Sequence, residues 1–304
     1  MLRLPAFGTW ALAATLLASG GTAVAQDASA KSLVQTVVNN ELAKDQHDRT
    51  HWMYRDAKKT PEKDTVKLVI ETGQGNLFKT LKVNGHAPND EDREADQEHR
   101  EKMLNDPSER QKQARDRHED GEKARAMMKM LPEAFNWTKK SENGNEITLA
   151  FSPNPNFTPD TREAEVFAAM AGTMTVDKGA MRLKRLTGAL TEDVNFGWGI
   201  LGKLRKGGTF DVQRAEVAPG EWQMVETHVH INGRALLFKS IDQNEDETFN
   251  DYRRMPDSLT LTEAAQMLDR GPDKTADAAN SKHQSGEQAR QNGSSAMAAA
   301  SGRH

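Results

Sequence analysis

The stretch Ala164 to Ile241, AEVFAAMAGTMTVDKGAMRLKRLTGALTEDVNFGWGILGKLRKGGTFDVQRAEVAPGEWQMVETHVHINGRALLFKSI, alternates strand-like runs with turn residues more regularly than any other part of the 304-residue chain. AEVFAAMAG reads as a short helix or an apolar lead-in. Thr173 to Val176 then reaches the tight turn Asp177-Lys178-Gly179, which feeds a second strand from Met181 to Leu190. Within that strand the apolar phase slips between Leu183 and Leu186, the mark of a bulge or an edge position. TFDVQRAEV and EWQMVETHVHI follow on either side of Ala218-Pro219-Gly220, and Asn232-Gly233 is expected to turn the chain into RALLFKSI. Five strands in meander order make an antiparallel sheet, and with the helical segments around them the fold class is α+β.

Upstream, Leu33, Val34, Val37, Val38 and Leu42 fall near helical spacing behind Ser32 as an expected N-cap, so residues 31–45 read as an amphipathic helix lying on the sheet. HWMYRD, DTVKLVIETG and LFKTLKVNGH are three strand-like runs, with Gly73 and Gly75 between the last two and Asn84-Gly85 closing the third. EAFNWTKK and NEITLAFSP, joined across Glu142-Asn143-Gly144, form another hairpin. Late in the chain, SLTLTEAAQMLDRG is a helix with Thr260 three residues before Glu263 as a capping box and Gly271 as its stop.

Residues 89–131 interrupt this pattern with a run dominated by Glu, Asp, Arg, Lys and Gln, with opposite charges often three or four apart. Two charged helices are expected, broken at Asp106-Pro107-Ser108-Glu109, where Asp106 caps the second helix and Pro107 takes its first position. Pro132 is expected to end it, and only Met127, Met128, Met130 and Leu131 offer much to bury. The insertion reads either as a solvated or partly disordered hairpin, or as an arm that contacts a partner or covers a pocket.

Residues 1–25 carry Arg3, an apolar run around Trp10 to Leu17 and Ala23-Val24-Ala25 ahead of Gln26, the layout of a secretory signal peptide whose apolar core is shorter than the ~20 residues that span a bilayer. Residues 26–271 then form a single α+β domain, and residues 272–304, almost without large apolar side chains, a disordered tail. The expected location is periplasmic or secreted, soluble after cleavage. The chain has no cysteine, which excludes disulfides, thiolate metal sites and a lipobox. A net charge of −4 and a mean hydropathy of −0.79 give no basic surface for nucleic acid.

No G-x-S-x-G, H-E-x-x-H, Walker A, Rossmann or EF-hand pattern occurs, so no enzyme activity and no cofactor are assigned. His228 and His230 sit two apart on one expected strand face with Glu226, a spacing open to metal binding but equally that of a hydrogen-bonded polar face. His47 and His51 read as solvated surface. The best candidate for ligand binding is the glycine-rich connection from Asn195 to Gly208. There Phe196, Trp198, Ile200 and Leu201 can meet an apolar chain while Lys203, Arg205 and Lys206 meet an acidic head group or a membrane surface. The other reading of this connection is that its apolar residues tuck into the core.

The order of elements, with G-T-M-T-V-D at Gly172 to Asp177 followed by M-R-L-K-R-L at Met181 to Leu186, resembles the periplasmic lipoprotein-carrier superfamily that includes LolA, LolB and RseB-type domains. It is also similar to uncharacterised bacterial secreted proteins. The resemblance covers residues 31–255 and implies a large curved, half-barrel-like antiparallel β-sheet covered by helices. It also implies a non-enzymatic role in holding an amphipathic ligand, such as a lipid, a lipoprotein or an acylated partner. The charged insertion departs from typical carriers, and no functional residue of the superfamily is carried over. The alternative function is a protein-interaction or assembly module of the envelope that uses the charged arm; a metal-dependent hydrolase built on His228 and His230 ranks below both.

Overall fold

The computed structural model describes residues 28–196, 202–235 and 239–270; the expected leader and tail lie outside them. The helices are α1 (Ala28–His47), α2 (Asp90–Asn105), α3 (Pro107–Ala134), α4 (Arg162–Ala168) and α5 (Leu261–Arg270). The strands are β1 (His51–Lys59), β2 (Asp64–Thr72), β3 (Gly75–Val83), β4 (Phe135–Asn143), β5 (Glu146–Pro153), β6 (Met170–Asp177), β7 (Arg182–Leu190), β8 (Val194–Phe196), β9 (Gly202–Leu204), β10 (Thr209–Ala218), β11 (Glu221–Ala235) and β12 (Lys239–Met255). They pair into one 12-stranded antiparallel sheet in the order β3-β2-β1-β12-β11-β10-β7-β6-β5-β4, with the β8-β9 hairpin laid against β11. The fold is thus α+β with a curved sheet that does not close into a barrel.

Helix α3 shows how far the sheet curls. Near its start, Gln113 Oε1 accepts from the Asn76 amide on edge strand β3 at 2.8 Å, and Arg117 donates to Asn76 Oδ1 at 3.1 Å. Near its end, the Leu131 carbonyl accepts from Trp137 Nε1 on the opposite edge strand, β4, at 3.0 Å. The helix between those anchors is about 27 Å long, whereas ten strands laid side by side follow an arc of about 43 Å. Both edges can touch one helix only if the sheet bends toward it, and α3 straps the concavity from rim to rim.

Two apolar clusters stabilise the sheet. In α1, Ala30, Val34, Val37 and Val38 form a helical-period stripe packed on Trp137, Leu149, Met174 and Leu183. In the other cluster, α5 lays Leu261, Ala264, Met267 and Leu268 on Met53, Leu68, Ile70 and Leu77. The capping box of α5 forms as its sequence requires, Thr260 N–H to Glu263 at 3.0 Å and Glu263 N–H to Thr260 Oγ1 at 3.2 Å.

The phase slip in MRLKRL is a bulge: Thr175 opposes Arg185 and Val176 opposes Leu183, which leaves Lys184 unpaired in a strand interior to the sheet. Gly172, first residue of GTMTVD, pairs with Gly188, and a Cβ on Gly172 would lie 1.9 Å from the Thr187 carbonyl oxygen. The ring of Phe151 reaches the same spot, at 2.8 Å from such a Cβ, so the glycine makes room for an aromatic side chain.

Three local expectations are corrected. Helix α1 begins at Ala28, and Ser32 lies inside it, its carbonyl accepting from Thr36 Oγ1 rather than its side chain capping. Pro132 sits within the last turn of α3, which continues to Ala134; there a missing amide costs a single helical bond. Asn232-Gly233 does not turn: β11 runs through it to Ala235, and Gly233 is required because a Cβ would meet the Lys203 carbonyl oxygen of β9 at 2.5 Å. The polar run from Asp242 to Met255, to which the sequence pattern assigns no element, is strand. It belongs to β12, which joins β1 to β11 at the middle of the sheet.

The charged insertion is part of the fold. Asn89 and Asp92 close a capping box on α2, and Asp106 caps α3 by accepting from the Ser108 amide at 2.8 Å. Asp96 accepts from Thr80 N–H at 2.6 Å and Thr80 Oγ1 at 2.8 Å, His99 stacks on Phe78, and Met103 is completely buried. Met103, Asp96 and His99 dock a helix whose exposed residues are mostly charged.

Candidate functional site

Helices α1, α3 and α4 do not seal against the sheet. Between them and β7, β10 and β11 lies a cavity of about 900 Å³. Its apolar wall comes from every surrounding element, with Leu42 of α1, Met128 of α3, Phe167 of α4, Leu186 of β7, Phe210 of β10 and Trp222 of β11. Strand alternation explains the floor, since Phe210, Val212 and Arg214 follow one another on the same face of β10. On β11 the lining residues Trp222 and Ile231 stand nine positions apart, about 30 Å along an extended strand, so the space is elongated along the strands.

The rim is polar. Lys44, Asp45, His47, Asp48 and Arg49, at the end of α1 and just beyond it, are exposed and line the mouth. Arg125 of α3 ties this rim by bonding Asp45 at 2.5 Å and Glu122 at 2.7 Å. Met224, 38% exposed, is the one exposed large apolar side chain among the described residues, and it too lines the cavity.

Where α1 meets the floor, Glu41 continues the buried stripe of Val37 and Val38, and its side chain is 3% exposed. Arg182 holds it through Nε and Nη2 at 2.7 and 2.8 Å, the Leu183 amide donates at 2.9 Å, and Arg214 donates Nη1 to the same carboxylate. Arg214 also gives Nη2 to the Trp222 carbonyl at 2.7 Å. Burial pushes the Glu41 carboxyl up, but the Arg182 hydrogen bonds, the Arg214 charge and the Leu183 amide outweigh it and leave the group below its usual range. These residues were missed in the sequence, although a signal existed: Glu41 lies on the apolar stripe of its helix, and Arg214 falls in phase with Phe210 and Val212.

The same sheet face continues outward. Val212 opposes Thr227, Thr227 opposes Glu247, and Glu247 opposes Lys58. Burial, with Asp56 adjacent, pushes the Glu247 carboxyl up to about 7 and raises Asp56 as well. Farther along, Glu71 accepts from the Trp52 amide at 3.0 Å beside the stacked pair Tyr54 and Tyr252, and burial raises it to about 7.

His228 and His230 point to the other face. His228 Nδ1 lies 2.6 Å from Asp246 and Nε2 2.9 Å from Glu226, while His230 Nε2 is 3.0 Å from the same Asp246 oxygen. Asp246 first, then Glu226, raise the His228 pKa against a small opposing effect of burial. With both nitrogens of His228 occupied, the pair is a hydrogen-bonded polar face, and no group of three or more His, Asp or Glu among the described residues is arranged to hold a metal.

The expected ligand-binding connection is described only in part. Trp198, Ile200 and Leu201 fall outside the described residues, as does the side chain of Phe196 at the end of β8. Lys203 pairs with Asp193 at 2.6 Å, the Lys206 amide donates to Asp193 at 2.8 Å, and the Arg205 amide donates to the Asn232 carbonyl at 2.9 Å. None of these three cations lines the cavity, and Val194 and Leu204 of the same segment are buried in the core.

A half-barrel sheet strapped by a helix over an elongated, mainly apolar cavity defines the protein structurally as an α+β domain with a built-in ligand-sized space. No protein-family model, curated protein or solved structure matches the chain. No helix among the described residues is long and apolar enough to cross a membrane.

Proposed function

We propose that the protein is a non-enzymatic binding domain of the bacterial envelope, exported to the periplasm or beyond, that holds an amphipathic ligand with its apolar part in the cavity under α1, α3 and α4. One observation carries this reading: about 900 Å³ of space between the helices and the sheet, walled by aliphatic, thioether and aromatic side chains and opening through a charged rim. Methionines at 127, 128 and 170 suit such a role, because an unbranched thioether adapts to chains of different shape. The lipoprotein-carrier resemblance points the same way.

The test is native mass spectrometry of protein purified without detergent, followed by thermal shift with single-chain lipids. Bound lipid, and a melting temperature raised by added lipid, support the proposal. Leu186→Trp, which narrows the cavity from its floor, is expected to weaken both effects while leaving the circular dichroism unchanged. Protein that is always empty and gains no stability from any lipid sinks the proposal.

A second reading keeps the charged helices as an interaction surface. It is favoured by the middle of α3, where residues 114–120 are all exposed and five of the seven are charged. Charge reversal there, rather than deletion of helices that anchor the sheet, is the appropriate probe. An unchanged set of cross-linked envelope proteins would remove this reading.

A further inference from the structure

Two guanidinium groups share one carboxylate at the cavity floor. Arg182 takes Glu41 through two hydrogen bonds and Arg214 takes it through one, and all three side chains line the space. Guanidinium stays protonated in proteins, so the trio of two arginines and one carboxylate carries a net charge of +1 on the wall of the cavity. A buried unpaired charge is costly unless something meets it. Glu163 and Glu221, two further acids of the wall, make no hydrogen bond to either arginine among the described residues, and each guanidinium gives two of its five donors to the bonds described above. Arg214, with its side chain 20% exposed, is the more accessible of the two; Arg182 is 8% exposed. From Arg214 the apolar floor runs along β10 past Val212 to Phe210, about 13 Å.

We propose that the cavity is built for an anionic amphiphile, with a carboxylate or phosphate head group seated on Arg214 and Arg182 and an acyl chain lying along β10. This rests on the cavity being a ligand site. The planar fork of Arg214 suits a two-oxygen acceptor of either kind.

Calorimetric titration of the full-length wild-type protein with dodecanoate, dodecyl phosphate and neutral 1-dodecanoylglycerol, each below its micelle concentration at 0.15 M salt, tests it. The anions are expected to bind about tenfold tighter or better than the neutral lipid, as one charge-assisted hydrogen bond in a shielded site requires. A preference for only one anion supports the proposal and identifies the head group. Equal affinity for all three overturns it and leaves the cavity reading standing, whereas no binding by any of the three overturns both. Arg214→Gln is expected to erase the preference while keeping neutral-lipid binding; a preference that survives in folded Arg214→Gln also overturns the assignment. The head-group series on wild type needs no variant, so the test holds if Arg214→Gln fails to fold.

Discussion

Replacing Glu41 by Gln should unlatch α1 from the sheet. The carboxylate receives two bonds from Arg182, one from Arg214 and one from the Leu183 amide, at 3% side-chain exposure. Gln is nearly isosteric, so packing is kept, but one accepting oxygen becomes an amide that points donors at guanidinium donors. Removing one partner from a buried ion pair costs about 3–5 kcal/mol, because the charge left behind is neither hydrated nor paired. For a domain of this size, that lowers the melting temperature by about 6–20 °C. The pH dependence gives an independent signature. The Glu41 carboxyl titrates below its unfolded value of 4.5, so its stabilisation is fully present above that pH and is lost as the pH falls through the lower folded value. Urea titrations monitored by tryptophan fluorescence at pH 7 and at intervals below 4.5 should therefore show a large gap between wild type and Glu41→Gln that narrows on acidification. A gap under about 1 kcal/mol at pH 7, or one that does not narrow in acid, would refute the latch.

Glu71→Gln should act in the opposite sense. The folded carboxyl is raised from 4.5 to about 7, the folded state holds the extra proton between those values, and wild-type stability falls as pH rises through that window. Gln keeps an oxygen for the Trp52 amide, so the variant should gain about 2 kcal/mol at pH 8, after allowing for partial exposure, and lose the slope between pH 5 and 7 in urea titrations. Met103→Ala, at a completely buried site in the charged insertion, should cost about 2–5 kcal/mol and expose α2 to limited proteolysis; loss below 0.5 kcal/mol would mean that α2 does not dock. Gly172→Ala should cost about 3 kcal/mol by chemical denaturation, since its methyl has no room beside the Thr187 carbonyl. In an NMR titration His228 should show a midpoint above 6.5, falling in Asp246→Asn; the small stability it contributes is present below 6.5 and lost as pH rises through the folded value.

Much of the architecture was legible because local chemistry and tertiary role agree. Both outer meanders, the break at Asp106-Pro107 and the capping box of α5 follow from patterns that span only a few residues. The bulge at Lys184 was visible as a slip in apolar phase. Strand β12 was not legible, because a strand at the centre of this sheet is specified by its cross-strand partners rather than by its own alternation. Glu245 meets Lys58, Asp246 meets His228 and Asp251 meets Arg55, and none of those pairings can be read from KSIDQNEDETFNDYRRM alone. Gly233 misled for a related reason: the glycine serves the close approach of β9, not a turn.

The candidate site divides along the same line. By itself the sequence determined an α+β chain with an antiparallel sheet, a charged helical pair and no motif for a known reaction, since these depend on periodicity and spacing within short windows. Only the tertiary structure decided that α3 straps the sheet from edge to edge, that a cavity remains beneath it, and that Glu41, Arg182 and Arg214 converge there. Those three residues are separated by up to 173 positions. Their meeting depends on how far a ten-strand arc curls under a helix of fixed rise, a quantity set by the sum of packing contacts and carried by no single stretch of the chain.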